Sequence, residues 1–184
     1  MRKWTRFGRV RILGAHLYLH WSVLVVVGLL AFMSFSSPIH AAVSIASYLG
    51  IILLHELGHV LIARRLGYEV GAVRIAFFHG HCEHEAPHTE FDDVLIAWGG
   101  VLAQFAVAIP VLIIAAALEE YDFGYAAPAA VFLGYVNILV ALVNLAPAPE
   151  LDGHIAWRAV PLLHRWWRAR RATKRALGRL SRRR

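Results

Sequence analysis

Ile51-Ile52-Leu53-Leu54-His55-Glu56-Leu57-Gly58-His59-Val60-Leu61-Ile62 is the stretch on which the reading of this chain turns. On a helix, histidines four apart stand about 40° apart in azimuth and roughly 6 Å apart along the axis. That is the bite a tetrahedral zinc takes from two ligands, and the intervening glutamate lies beside the metal, where it can act on water. The motif is embedded in an apolar run, 41–63, long enough to cross a bilayer. Asp, Lys or Arg near the centre of a membrane helix costs ~2.5–3.5 kcal/mol, so ionisable groups there are rarely incidental. Two histidines could instead serve as hydrogen-bonding glue between helices. Glue leaves the glutamate between them unexplained, and the pattern implies a metal-dependent hydrolase set within a membrane.

Working outward, hydrophobic residues make up 59% of the 184, against about 45–50% in soluble domains. Four apolar runs, 16–35, 41–63, 94–118 and 126–147, each have roughly the length of a spanning helix. The first is too long for a removable signal peptide and lacks a small-residue cleavage pattern. The expected fold is therefore an all-α polytopic membrane protein with about four transmembrane helices. No linker or repeat divides it; residues 1–153 form the expected core, and 154–184 a short interfacial helix with a basic cytosolic tail.

The formal charge of +7 is segregated. Arg2, Lys3, Arg6, Arg9 and Arg11 precede the first run, Arg64, Arg65 and Arg74 follow the second, and eleven Lys/Arg lie from Arg158 onward. The connections Ser36–His40 and Glu119–Tyr125 have none. The positive-inside rule then puts both termini and the 64–93 connection in the cytoplasm, and a prokaryotic cell membrane is the expected setting. Topology accounts for the charge, so no nucleic-acid partner is expected. Leu162-Leu163-His164-Arg165-Trp166-Trp167-Arg168 and the Arg-rich end look like an anchor against anionic lipid. The lone Cys82 has no partner for an internal disulfide.

A catalytic zinc needs three protein ligands and an open position. The candidate third ligand is Asp152, in Asn144-Leu145-Ala146-Pro147-Ala148-Pro149-Glu150-Leu151-Asp152-Gly153, just past the fourth run. His55 lies about 12 Å from the end of its span, so both runs deliver ligands to a similar depth. Pro147 and Pro149 break the helix there, and irregular backbone at membrane depth is tolerated when buried or lining a wet cavity. The competing role for Asp152 is an N-cap for a short helix through His154–Trp167. Asn144 is a candidate oxyanion donor, its competing role an interhelical hydrogen bond worth about 0.6 kcal/mol; Asn137 reads as glue.

Together these residues resemble the site-2 protease family of intramembrane zinc metalloproteases. The resemblance rests on His55-Glu56-Leu57-Gly58-His59 and Asn144-Leu145-Ala146-Pro147…Leu151-Asp152-Gly153 in that order. Leu19-His20-Trp21-Ser22 and Ala97-Trp98-Gly99-Gly100 add to it, so it runs from about Ile12 to Gly153. It implies one catalytic Zn2+ held by His55, His59 and Asp152, with Glu56 as general base and Asn144 at the substrate carbonyl. It implies cleavage of single-span membrane proteins, such as anchored transcription factors or anti-sigma factors, in regulated intramembrane proteolysis. A chain this short is expected to be a compact member without a PDZ or cystathionine-synthase-like domain. The alternative is an inactive zinc-binding relative that sequesters membrane partners. A metal transporter is disfavoured because Val23–Leu30 and Val111–Ala117 are almost wholly apolar.

In position, Tyr68–Glu85 matches that family's membrane-associated β-hairpin, between the second and third spans. Val73, Ile75 and Phe77 alternate with Arg74 and Ala76 and are the candidate substrate-binding residues. An edge strand there would extend a helical substrate before hydrolysis. The cluster His79, His81, Cys82, His84 and His88 reads as a solvated turn, with a second metal or a pH sensor as alternatives.

Overall fold

The computed structural model describes residues 4–77, 80–118 and 123–181. Among the described residues the chain is mainly helical, with four strands: β1 (Trp4–Ile12), β2 (Ala15–His20), β3 (Val70–Ile75) and β4 (Gly80–His84). They form one sheet in the order β1-β2-β3-β4, with the outer pairs antiparallel and β2 parallel to β3. The hairpin between the second and third long segments is thus present as β3–β4. The β1–β2 hairpin was not expected, and it corrects the all-α reading.

Its cause is visible locally. His16-Leu17-Tyr18-Leu19-His20 alternates polar and apolar residues, the period of a half-buried strand. Ala15 and Leu17 are buried, and Leu17 stands opposite Val73. Leu13 and Gly14 turn the chain with φ of 48° and 79°, as in a type I′ turn. The run 16–35 is therefore not one continuous helix. It divides into β2 and α1 (Val23–Met33), whose 11 residues reach only ~16 Å at 1.5 Å each.

Among the described residues, three helices are long and apolar enough to cross a membrane: α2 (Pro38–Arg65), α3 (Glu90–Ala117) and the segment Gly124–Asn144. The third is a composite of a 3-10 turn, α4 (Ala127–Ala130), a π segment (Val131–Val136) and α5 (Asn137–Asn144). Ser37 caps α2, accepting from the His40 amide at 3.4 Å with Pro38 at the first helical position, and Thr89 caps α3 by accepting from the Asp92 amide at 3.1 Å. The chain then passes through 145–152 into α6 (Gly153–Ala156) and α7 (Ala159–Ser181).

Helices α2 and α3 approach at glycines. A methyl group at Gly58 would overlap the Gly99 carbonyl, so backbones meet where side chains would hold them apart. Beside this contact, Ile51, Ile52 and Val60 of α2, Val73 and Ile75 of β3 and Ile96 of α3 join one apolar core. The sheet is thereby fixed against the helix that bears the two histidines.

Candidate metal centre

Helix α2 carries His55, Glu56 and His59 into the interior, where Glu56 is only 1% exposed. His59 Nδ1 is 2.7 Å from the Ile96 carbonyl oxygen, and His55 Nδ1 is 2.9 Å from Gln104 Oε1. Both partners accept, so each Nδ1 carries the proton and each Nε2 presents a bare lone pair. The two Nε2 atoms are 3.0 Å apart. Asp152 Oδ2 lies 2.9 Å from His55 Nε2 and 3.2 Å from His59 Nε2. Three electron-rich atoms at such separations call for a cation between them. Ligand atoms about 2.0–2.1 Å from a tetrahedral zinc would stand ~3.3 Å apart, so the triangle needs to open by only a few tenths of an ångström.

Among the described residues, this is the one cluster of three such side chains that can share an ion. Two imidazoles and a carboxylate form a zinc donor set of the catalytic type, with a fourth position left open. The fit to zinc is good.

Asp152 does occupy the position before α6, but its carboxylate makes no capping bond. It turns to the histidines instead. Two indoles pin the segment that carries it. Trp157 Nε1 donates to the Leu145 carbonyl at 2.6 Å, and Trp98 Nε1 of α3 donates to the Ala156 carbonyl at 3.0 Å. Gly153 lets this turn fold back, since a Cβ there would overlap the Leu145 and Ala146 carbonyls.

Sequence reasoning missed Gln104, the chain's only glutamine. It is fully buried, and its Oε1 selects the His55 tautomer that leaves Nε2 free for metal. Asn137 Nδ2 donates to the Gln104 backbone carbonyl at 3.2 Å and to that of Leu133 at 3.3 Å, the glue role expected of it. The available signal was a single uncharged polar residue in the middle of an apolar span. Gly100 was missed as well: a Cβ there would lie 2.5 Å from His59 Nε2 and 2.6 Å from His55 Cε1.

A cavity of about 500 Å³ opens onto the three ligands. It is lined by β4, through Gly80, His81, Cys82 and His84, and by Asn144, Glu150 and Asp152. Glu56 also reaches it, with Oε2 buried and lacking a hydrogen-bond partner. Gly80 lies so close to the Glu56 carboxylate that a Cβ would overlap it. Asn144, the last residue of α5, is 6% exposed and lines this cavity.

The structure does not bring Val73, Ile75 and Phe77 to the cavity. Val73 and Ile75 are 1% and 3% exposed, in a strand paired on both sides. Phe77 is tied by its backbone, its amide donating to Ser22 Oγ and its carbonyl accepting from Tyr48. The alternation that suggested an edge marks instead the face packed on the core, because β2 occupies β3's other side. The edge beside the cavity belongs to β4. Of the histidine cluster, His79 lies outside the described residues, while His81 and His84 sit in β4 rather than in a solvated turn. Burial, followed by the nearby Glu56 charge, pushes the Cys82 thiol up to about 12.

No family model matches the chain. In two strains of Mycobacterium tuberculosis, Rip3, named as a zinc metalloprotease, is 30% identical over 166 residues, covering 78% of this chain. Among solved structures, the site-2 protease from Methanocaldococcus jannaschii superposes with a TM-score of 0.68 and 27% identity. That match covers 85% of this chain and 71% of the other. The chain belongs to the site-2 protease family. It spans 40% of the length of Rip3. The zinc metalloprotease name of Rip3 agrees with the donor set built by His55, His59 and Asp152, and the three long apolar helices agree with an integral membrane protein.

Proposed function

We propose that this chain is a zinc endopeptidase that hydrolyses peptide bonds in or near transmembrane segments of membrane-anchored proteins. The observation that carries the proposal is the pair of Nδ1–H tethers, to Gln104 and Ile96, which aim two bare Nε2 atoms at Asp152. Zinc held there supplies Lewis acidity, and such sites bring the pKa of water from 15.7 to about 7. Glu56, buried with one carboxylate oxygen unpartnered, takes the proton of the attacking water and returns it to the departing amine. Asn144 donates to the oxyanion that develops on the substrate carbonyl.

The free edge of β4 receives the substrate as an added strand, because a helical peptide bond must be extended before water reaches it. Both termini and the 64–93 connection face the cytoplasm, as the segregation of Lys and Arg requires. The substrates are single-span proteins, such as anchored transcription factors or anti-sigma factors, and the host membrane is prokaryotic.

The test compares new peptide termini in host membranes carrying wild-type protein or Glu56→Gln. Fragments from single-span proteins should appear with wild type and vanish with the variant, while both retain zinc. Identical fragment sets, with both proteins present and zinc-loaded, would defeat the assignment and favour a partner-sequestering relative.

A further inference from the structure

Helix α7 is unlike every other helix of the chain. It has 23 residues, extends well past the Trp167 boundary expected for it, and no Asp or Glu follows Asp152. At 100° per residue, Val160, Leu163, Trp166 and Trp167 share an arc of about 120°, and Arg165, Arg168 and Arg171 share another of the same width centred about 140° away. All four apolar residues are more than half exposed. Arg170 and Lys174 fall within the apolar arc, but long basic stems can lie along apolar surface and lift their charge to water. The Arg170 guanidinium already sits 4.9 Å over the Trp166 ring, and that of Arg171 3.7 Å over the Trp167 ring.

The helix is also positioned. Arg158 Nη1 lies 3.7 Å from Asp93 Oδ2, and Arg165 Nη2 lies 2.6 Å from Glu90 Oε2. Both acids are in the first turn of α3, so α7 departs from the very end of a spanning helix. Arg168, Arg170, Arg171 and Lys174 have no acidic partner among the described residues. An apolar stripe ending in two adjacent indoles, a basic opposite face and a starting point at the mouth of a span together match one occupant.

We propose that α7 is an in-plane anchor whose Val160–Trp167 face inserts into an anionic phospholipid leaflet beside α3. The indoles sit at headgroup level and the arginines pair with lipid phosphates and anionic headgroups. A soluble acidic protein or nucleic acid would engage the basic face alone and leave Trp166 and Trp167 in water. This inference is independent of the protease assignment.

The full chain, one copy per lipid nanodisc, is compared in phosphatidylcholine alone and in phosphatidylcholine with phosphatidylglycerol. Hydrogen exchange of backbone amides 160–171 is the readout. Exchange should be slower in the anionic discs, and high salt should remove much of the difference. Arg168→Gln with Arg171→Gln should weaken the effect roughly 30-fold, the factor that ~1 kcal/mol for each of two cations implies. Wild-type exchange that is equal in the two discs and indifferent to salt would overturn the proposal. So would protection that appears only when RNA or an acidic protein is added.

Discussion

The cleft has two walls built by opposite means. The inner wall is helix against helix: α2 and α3 meet at Gly58 and Gly99, and His55, Glu56, His59 and Gln104 are all buried. The outer wall is a strand edge and an irregular turn, β4 and residues 145–152, where Asp152 keeps a side-chain exposure of 24%. On the inner wall, donors are fixed by partners that cannot rotate away, as the Ile96 carbonyl fixes His59. On the outer wall, backbone hydrogen-bonding groups remain available at an edge. The difference divides the labour. Under the proposed function, rigid packing sets the chemistry and the open edge admits the substrate.

If so, damage to the inner wall removes metal, while damage to β4 spares it. Gly100→Ala pushes a methyl group against both imidazoles and is expected to abolish zinc binding and cleavage together. Gly28→Ala, at a site with nothing within 4 Å, is the control and should change neither. Elemental analysis of the purified proteins reads this directly. On the outer wall, Gly80→Val forces β4 off the Glu56 carboxylate. Cleavage should fall by as much as about 10²-fold, the cost of ~1 Å of misplacement, with zinc stoichiometry unchanged. Loss of zinc in this variant would mean that β4 belongs to the metal cradle.

Gln104 sharpens the comparison further, because it is a tether on the inner wall that mutation can remove. Gln104→Leu should weaken zinc binding about 10–100-fold in chelator competition, and Gln104→Glu, which keeps an acceptor, should restore most of it. The nitrogen chemical shifts of His55 should report the tautomer. Equal loss in both variants would point to packing alone. The smallest effect is expected at Cys82. Its thiol is held protonated by burial and by Glu56, so iodoacetamide at about pH 8 should label the unfolded chain and spare the folded one. Fast labelling of the native protein would show that β4 swings away from the cleft.

Much of the metal site was legible in the sequence, because its signals are local. Helical period places His55 and His59 on one face, and the proline-broken segment after the fourth run marks where a third ligand returns. The sheet was less legible. Residues Trp4–Ile12 pair with Ala15–His20, yet in the sequence their arginines carry only a topogenic signal. The pairing of Leu17 with Val73 joins residues far apart in the chain, which periodicity cannot reveal. That same pairing buries Val73 and Ile75 and moves the open edge to β4. Gln104 lies 49 residues from His55, and nothing local announces what a lone glutamine will face.

X-ray absorption at the zinc edge, on the purified wild-type protein, tests the account most directly. The expected spectrum has two imidazole nitrogens and oxygen donors at about 2.0–2.2 Å and no sulfur. A sulfur scatterer near ~2.3 Å, or imidazole scattering that survives intact in His59→Ala, would contradict a site made by His55, His59 and Asp152.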